Sequence, residues 1–405
     1  MTDQLPETLL LTVSGKDRPG VTSAMFRTLT RAGVEVLDIE QIVLRRQLIL
    51  GILVTAPARG WKTLRSAVEE TADELGMHVE VERGSGDNRG RREGRSHVTV
   101  IGAPLMAGAM AAVAGRIADC GANIDRIERM ARYPVTAIDL HVSGADPDRL
   151  RALLSAEAAA QGFDIAVQPA SLLRRAMRLI VIDVDSTLIQ GEVIELLAAH
   201  GDQQEQVAHL TDLAMRGELD FEDSLRARVA LLKGIPATAL DHVYDELVLA
   251  PGARTLVRIL RRLGYRFALV SGGFSQITDR LAADLGIHYA RANELEIVDG
   301  LLTGDIVGEV VDRAGKAKAL RYFAEEVGVP VEQVVAIGDG ANDLDMLEAA
   351  GLGIAYNAKA VVQEAADTAV NVPYLDSILY LLGITREEVE ALDLEHGFVT
   401  PAPPV

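Results

Sequence analysis

Two aspartates stand two residues apart in Asp183-Val184-Asp185-Ser186-Thr187, directly after the apolar run Leu179-Ile180-Val181-Ile182. A second acidic pair, Asp339 and Asp343, falls in Gly338-Asp339-Gly340-Ala341-Asn342-Asp343, directly after Val334-Val335-Ala336-Ile337. Ser271-Gly272-Gly273 follows a third run, Phe267-Ala268-Leu269-Val270, and two lysines, Lys316 and Lys318, open a helical stretch ahead of the Asp339 turn. Four carboxylates gathered at one place repel one another unless a cation lies among them. Oxygen-only donors favour Mg²⁺, which takes few carboxylates and keeps water and substrate phosphate in its shell. A hydroxyl, a glycine N–H and an ammonium are the donors that a phosphoryl group in transfer requires. Alone, Asp-Val-Asp reads as a solvated turn or helix cap, and Gly-Asp-Gly as an ordinary nucleotide-binding turn. Together, at matching ends of successive strands, they read as a site for phosphate chemistry.

The apolar runs at Leu179, Phe267, Val334 and Leu352 are continuous rather than alternating. Strands of that kind are buried on both faces of a parallel sheet, and ligands bind outside the carboxyl ends of such strands. About 80 residues separate the first two runs, far more than one crossover needs. Four segments with helical spacing fill them, Glu192 to His200, Gln203 to Arg216, Phe221 to Leu232 and Pro236 to Leu249, which predicts a helical cap at about residues 190–250. Asp299-Gly300 between apolar runs predicts a hairpin at residues 295–302.

The first 170 residues follow another pattern. Gly15 and Gly102 each close an apolar run, Gly33 and Gly121 each end a helical stretch, and the matched positions lie 87 or 88 residues apart. A near-constant offset indicates duplication, and each copy reads strand, helix, strand, strand, helix, strand, the order that packs two helices on one face of an antiparallel sheet. The stretch from Arg83 to Ser96 has no aliphatic residue and reads as a linker. The predicted divisions are 1–84, a linker at 85–95, 96–170, a catalytic domain at 178–385, and an acidic, Pro-rich tail at 386–405 with a frayed end. A net charge of −19 argues against nucleic acid or an anionic membrane as the main partner. One cysteine, Cys120, excludes an intrachain disulfide and a multi-cysteine metal site. With no leader-like N-terminus and no run of 18 apolar residues, the expectation is a soluble cytoplasmic chain.

On Asp183-Val184-Asp185-Ser186-Thr187, Ser271, a lysine and Gly338-Asp339-Gly340-Ala341-Asn342-Asp343, residues 178–382 resemble the haloacid dehalogenase superfamily of aspartyl phosphohydrolases. Asp-Ser-Thr after the aspartate pair, Glu192, and Ser271-Gly272-Gly273-Phe274 bring the resemblance closest to its phosphoserine phosphatase family. The two N-terminal copies resemble ACT domains, small ligand-binding regulators of amino-acid metabolism. Gly15-Lys16-Asp17-Arg18-Pro19-Gly20-Val21 carries that family's turn, and the second copy at Gly102 to Gly108 lacks Asp-Arg-Pro-Gly.

These resemblances imply a Rossmann-like α/β core with a parallel sheet and a helical cap, preceded by two ferredoxin-like βαββαβ domains. They imply Asp183 as nucleophile, Asp185 as general acid and then base, and Ser271, Gly272, Asn342 and a lysine on the phosphoryl oxygens. Counting back from Gly328-Val329-Pro330, the family pattern places that lysine at Lys316 rather than Lys318. Mg²⁺ falls to Asp183, the Asp185 backbone carbonyl and Asp339, with Asp343 behind them. For a substrate with both an ammonium and a carboxylate, the resemblance assigns Glu192 to the first and Arg228 to the second, with Met215 and Phe221 as apolar walls. Read from the residues alone, Arg228 is a surface arginine and Met215 and Phe221 are cap packing. The implied effector is an amino acid such as serine at Asp17, Arg18, Pro19, Gly20 and Val21, and the implied assembly is a homodimer through the ACT-like sheets.

Two competing functions follow. One is a phosphatase or phosphotransferase of the same superfamily acting on another small phosphomonoester, against which an unpaired Glu192 discriminates. The other is an amino-acid sensor with a disabled catalytic domain, which the presence of Asp183, Asp185, Ser271, Lys316 and Asp339 opposes.

Overall fold

A computed structural model of the chain describes residues 7–57, 59–86, 93–215 and 221–400. The chain divides into two compact units, residues 1–90 and 91–405.

In the first unit β1 (Glu7–Lys16), α1 (Val21–Ala32), β2 (Val36–Leu44), β3 (Gln47–Thr55), α2 (Trp61–Glu74) and β4 (His78–Ser85) follow the βαββαβ order, in an antiparallel sheet β2-β3-β1-β4. Period-two alternation sends Leu9, Leu11 and Val13 of β1 and Leu48, Leu50, Ile52 and Val54 of β3 to one face. There they meet Val21, Met25 and Leu29 of α1 and Leu64 and Val68 of α2. The linker expected from Arg83 onward begins later. Arg83, Gly84 and Ser85 pair with Leu9, Thr8 and Glu7 of β1, and the Arg83 guanidinium lies 5.5 Å from the Trp61 ring centre and pairs with Glu7. Polar side chains do not stop a strand whose backbone groups have a neighbour to bond. Residues 87–92 of that linker lie outside the described residues.

The second unit opens with the second repeat, β5 (Ser96–Gly102), α3 (Ala107–Asp119), β6 (Asn123–Ala131), β7 (Thr136–Ser143), α4 (Pro147–Gln161) and β8 (Asp164–Pro169). After β9 (Leu179–Ile182) come the cap helices α5 (Val193–Ala199), α6 (Gln204–Met215), α7 (Phe221–Ala230) and α8 (Ala239–Glu246). The core continues through α9 (Ala253–Arg262), β10 (Arg266–Phe274), α10 (Ser275–Leu285), β11 (Tyr289–Val298), β12 (Leu301–Val307), α11 (Arg313–Val327), β13 (Val334–Gly338) and α12 (Leu344–Ala349). It ends with β14 (Leu352–Tyr356), α13 (Ala360–Ala365), β15 (Thr368–Val370), α14 (Ile378–Leu381) and α15 (Arg386–Glu395). The β11–β12 hairpin turns on Asp299 and Gly300, both at positive φ, as a two-residue turn of that kind requires.

β11, β10, β9, β13, β14 and β15 run parallel in that order, with β9 central. Leu179, Ile180, Val181 and Ile182 are all fully buried, because alternate side chains enter the cores on the two faces of the sheet. The second repeat joins this sheet. β15 meets β8 at Thr368 opposite Ala166, giving one eleven-stranded sheet from β12 to β6.

The expected tail at 386–405 also differs. Thr385 caps α15 in a reciprocal box with Glu388, and fully buried Asp393 pairs with Arg258 at 2.7 Å and Arg262 at 3.2 Å. An acidic stretch reads as solvated until a basic partner from α9 faces it. Residues 401–405, where fraying was expected, lie outside the described residues.

Candidate active site

Each chemistry-bearing turn sits at the carboxyl end of a parallel strand. β9 hands the chain to Asp183, whose backbone N–H donates to the Ile337 carbonyl of β13 at 2.9 Å, and a tight π-type turn follows over Val184–Leu188 with Ser186 at φ 56°. This turn aims Asp183 and Asp185 differently.

Asp183 is buried, and its Oδ1 accepts from Lys316 Nζ at 2.7 Å. The same ammonium donates to Asp343 Oδ1 at 2.7 Å, and Asp343 Oδ2 accepts from the Gly340 N–H at 3.0 Å. Lys316 and Asp343 are completely buried. Burial works against the Lys316 charge, but Asp183 and Asp343 outweigh it and raise its pKa, so the ammonium is kept. Burial first, and then Asp343, push the Asp183 carboxyl up, with Lys316 opposing. Lys318 is 68% exposed and lies 3.8 Å from Glu309, away from this cluster. Asp312, which caps α11 by accepting from the Gly315 N–H at 2.7 Å, sets the helix start that turns Lys316 inward.

Asp185 Oδ1 accepts from the Val193 N–H at 2.8 Å and Oδ2 from the Ser271 hydroxyl at 3.1 Å, while Ser271 Oγ accepts from the Gly273 N–H at 2.8 Å. Burial raises the Asp185 pKa, and the Val193 and Ser271 bonds partly offset it. A carboxyl so placed can hold a proton and release it. A Cβ on Gly273 would stand 2.6 Å from Asp185 Oδ2, and one on Gly338 would stand 2.4 Å from Asp343 Cγ. Both positions therefore need glycine.

Asp339 Oδ1 accepts from Thr187 at 3.0 Å, and burial followed by Asp343 raises its carboxyl to about 6. The carboxylate oxygens of Asp183, Asp339 and Asp343 lie within 4.8 Å of one another. Such a hard oxygen donor set fits Mg²⁺. The Asp185 carboxylate, engaged by Val193 and Ser271, is not one of this set.

Over this floor stands the cap. Ser186 Oγ lies 3.4 Å from Glu192 Oε1, and Glu192 is pushed up to about 7 by burial and then by Asp185 and Asp339. Arg228 is buried, donates to the Ser224 carbonyl and Thr211 Oγ1 at 3.4 Å each, and feels the charges of Glu192 and Asp185. It is not the surface arginine that its Arg226-Ala227-Arg228 context suggests. Phe221 Cζ and Asn342 Nδ2 both approach Gly272, at 3.2 and 3.9 Å from where a Cβ would stand. Met215 ends α6, and its side chain lies outside the described residues.

Sequence reasoning missed Asn293. Buried on β11, it donates to the Gly272 carbonyl at 2.8 Å and accepts from the Val311 N–H at 2.7 Å, so it ties the Ser271 turn to the approach to α11. A lone amide inside a buried strand was the available signal, because such a group must find partners. In the first unit, Asp17, Arg18, Pro19 and Gly20 form an exposed turn before α1. Val21 does not share that exposure: it starts the apolar stripe of α1 and is 2% exposed in the core.

Residues 180–348 match the haloacid dehalogenase-like hydrolase family, and residues 7–82 and 95–168 match two ACT domain families. A phosphoserine phosphatase of Streptomyces coelicolor is 61% identical over 387 residues, 95% of this chain and 94% of that protein. Phosphoserine phosphatase SerB2 of Mycobacterium tuberculosis is 52% identical over 391 residues, 95% of each chain. Among solved structures, the unliganded probable phosphoserine phosphatase of Vibrio cholerae is 35% identical at a TM-score of 0.57, covering 71% of this chain and 86% of that one. Likeness to the first two proteins runs through both N-terminal repeats as well as the catalytic core, and on that extent the chain belongs to the phosphoserine phosphatase family.

Proposed function

We propose that the chain hydrolyses O-phospho-L-serine to L-serine and phosphate through an aspartyl-phosphate on Asp183. The observation that carries this reading is that one acid, half-buried Glu192, and one base, buried Arg228, feel each other's charge and that of Asp185 beside the Asp183–Lys316 centre. A zwitterionic phosphomonoester needs one acid and one base besides its phosphate donors.

In the first step an Asp183 carboxylate oxygen attacks phosphorus, the bond to the serine oxygen breaks, and the Asp185 carboxyl passes its proton to that oxygen. In the second step Asp185, now a carboxylate, takes a proton from water as the water oxygen attacks phosphorus. The Asp183–phosphorus bond breaks and phosphate leaves. Lys316 holds Asp183 Oδ1 in place, and Ser271, the Gly272 N–H and Asn342 serve the phosphoryl oxygens. Asp183, Asp339 and the Asp185 carbonyl, with Asp343 behind them, would hold Mg²⁺, which would supply positive charge to offset that of the phosphate.

An amino acid such as serine, at the exposed Asp17 to Gly20 turn, is the proposed effector. Calorimetry on the full chain in which no amino acid binds, or in which Asp17→Ala leaves binding unchanged, sinks that part. The single cysteine is in keeping with work in a reducing compartment such as the cytoplasm.

The test is kcat/KM with Mg²⁺ for L-phosphoserine against phosphoglycolate and an amine-free analogue. The expected preference is about 10²-fold, roughly 2.7 kcal/mol. Equal values would keep the aspartyl-phosphate chemistry, remove the Glu192 and Arg228 assignment, and favour another small phosphomonoester as substrate.

A further inference from the structure

The second repeat carries a cluster of donors that the phosphatase chemistry does not use. His97 on β5 and His141 on β7 are direct partners across an antiparallel ladder, with ring centres 4.5 Å apart. Asp139, two residues before His141, points to the same face. Its Oδ2 lies 2.8 Å from His97 Nδ1 and 3.6 Å from His141 Nε2, and the three donor atoms fall within 4.8 Å of one another. On β6, Glu128 Oε2 approaches His141 Nε2 to 3.7 Å, while its other oxygen pairs with Arg126 at 2.9 Å.

Ligands bound at about 2.0–2.1 Å in a tetrahedron lie about 3.3 Å apart. The spacings of 2.8 and 3.6 Å fall on either side of that distance. The Asp139 carboxylate is also oriented from behind: its Oδ1 accepts from Thr99 at 3.0 Å, and Arg174 donates to both oxygens, at 3.1 and 3.5 Å. Metal-ligating carboxylates are characteristically braced by hydrogen bonds of this kind. The Asp139 side chain is 3% exposed, whereas His97 and His141 are 21% and 27% exposed, which leaves a path from solvent.

We propose that His97, Asp139 and His141 form a binding site for a divalent transition metal of the zinc class, with Glu128 as the nearest further donor. Imidazole nitrogen selects such ions over Mg²⁺, so this site and the all-oxygen centre at Asp183 differ in preference. The ionised Asp139 carboxylate accepts the Nδ1 proton of His97, and metal binding moves that proton to the ring's other nitrogen. The position gives the ion a structural consequence. Arg174, bonded to Asp139, also donates to the carbonyls of Leu381 at 3.0 Å and Tyr380 at 3.3 Å. Metal on Asp139 therefore braces the junction between the second repeat and the end of the catalytic core.

The experiment is a zinc titration of the full chain against a chromogenic chelator, with excess Mg²⁺ present, for the wild type and the His97→Ala and His141→Ala variants. The expected result is one zinc equivalent in the wild type that each variant binds at least about tenfold more weakly, since losing even a bracing group costs that much. Both variants should keep Mg²⁺-supported phosphatase activity, which reports that they fold. Equal zinc binding in folded variants, or no such equivalent in the wild type, overturns the proposal. Proton NMR of the wild type checks it without substitution: zinc should shift the ring resonances of two of the eight histidines, and unchanged rings would overturn it.

Discussion

Lys316 donates to one oxygen of Asp183, and in the proposed mechanism this bond orients the carboxylate for attack on phosphorus and keeps a positive charge beside it. Asp183→Asn keeps the shape of the side chain and removes the proposed nucleophile, so phosphate release should fall to background while the far-ultraviolet circular dichroism stays that of the wild type. Appreciable turnover in that variant would move the nucleophile elsewhere. Glu192 supplies a pH signature. Its carboxyl is raised to about 7 by burial and its acidic neighbours, and in the proposed binding role it must lose its proton to receive a substrate ammonium. kcat/KM for phosphoserine should therefore rise with pH through about 7, and Glu192→Gln should abolish that limb and lower kcat/KM at pH 8. A limb that persists in the variant would belong to another group. The acidic pairs and Ser271 stand out in the sequence because few structures tolerate such residues directly after buried apolar runs. Asn293 and Thr187 do not, because their importance lies in the partners they meet.

Elements position these residues through strand ends and short turns, and here the seam between β15 and β8 matters as much as the core. Asp164 of β8 accepts from the Asn371 N–H at 2.7 Å, the Val372 N–H at 3.0 Å and the Asn371 side chain at 2.8 Å. Asp164→Ala leaves those donors unpaired beside a buried seam. We expect a loss of about 1–3 kcal/mol in urea unfolding and faster amide exchange at residues 368–372. Unchanged exchange there would show that the sheet is joined by its backbone and packing alone. Secondary structure was largely legible from periodicity, with the hairpin at Asp299-Gly300 and the cap helices near their expected places. The seam was not, because it joins residues about 200 positions apart whose local sequences contain no trace of each other.

At the scale of the molecule, β2 is an edge strand of the first unit, and Ile39, Ile42, Val43 and Leu44 along it are exposed, as are neighbouring Leu10 and Ile49. An apolar edge of that kind is relieved by pairing with another chain. We expect a homodimer of the 43.4 kDa chain in sedimentation equilibrium, shifted toward monomer by Leu44→Lys. A wild type that sediments only as monomer would refute it.

Apolar period, turn chemistry and the clustering of carboxylates are properties of neighbouring residues, and from them the sequence alone determined the α/β core, the duplicated βαββαβ units and the acidic turns at the strand ends. Tertiary structure decided what depends on distance through space. It turned Lys316 inward and Lys318 outward, buried Arg228 within the cap, sent Val21 into a core, fused the second repeat to the catalytic sheet, and gathered His97, Asp139 and His141 on one face. Burial and charge pairing act between groups far apart in the chain, so residues of the same type acquire different chemistry only when the fold assigns their neighbours.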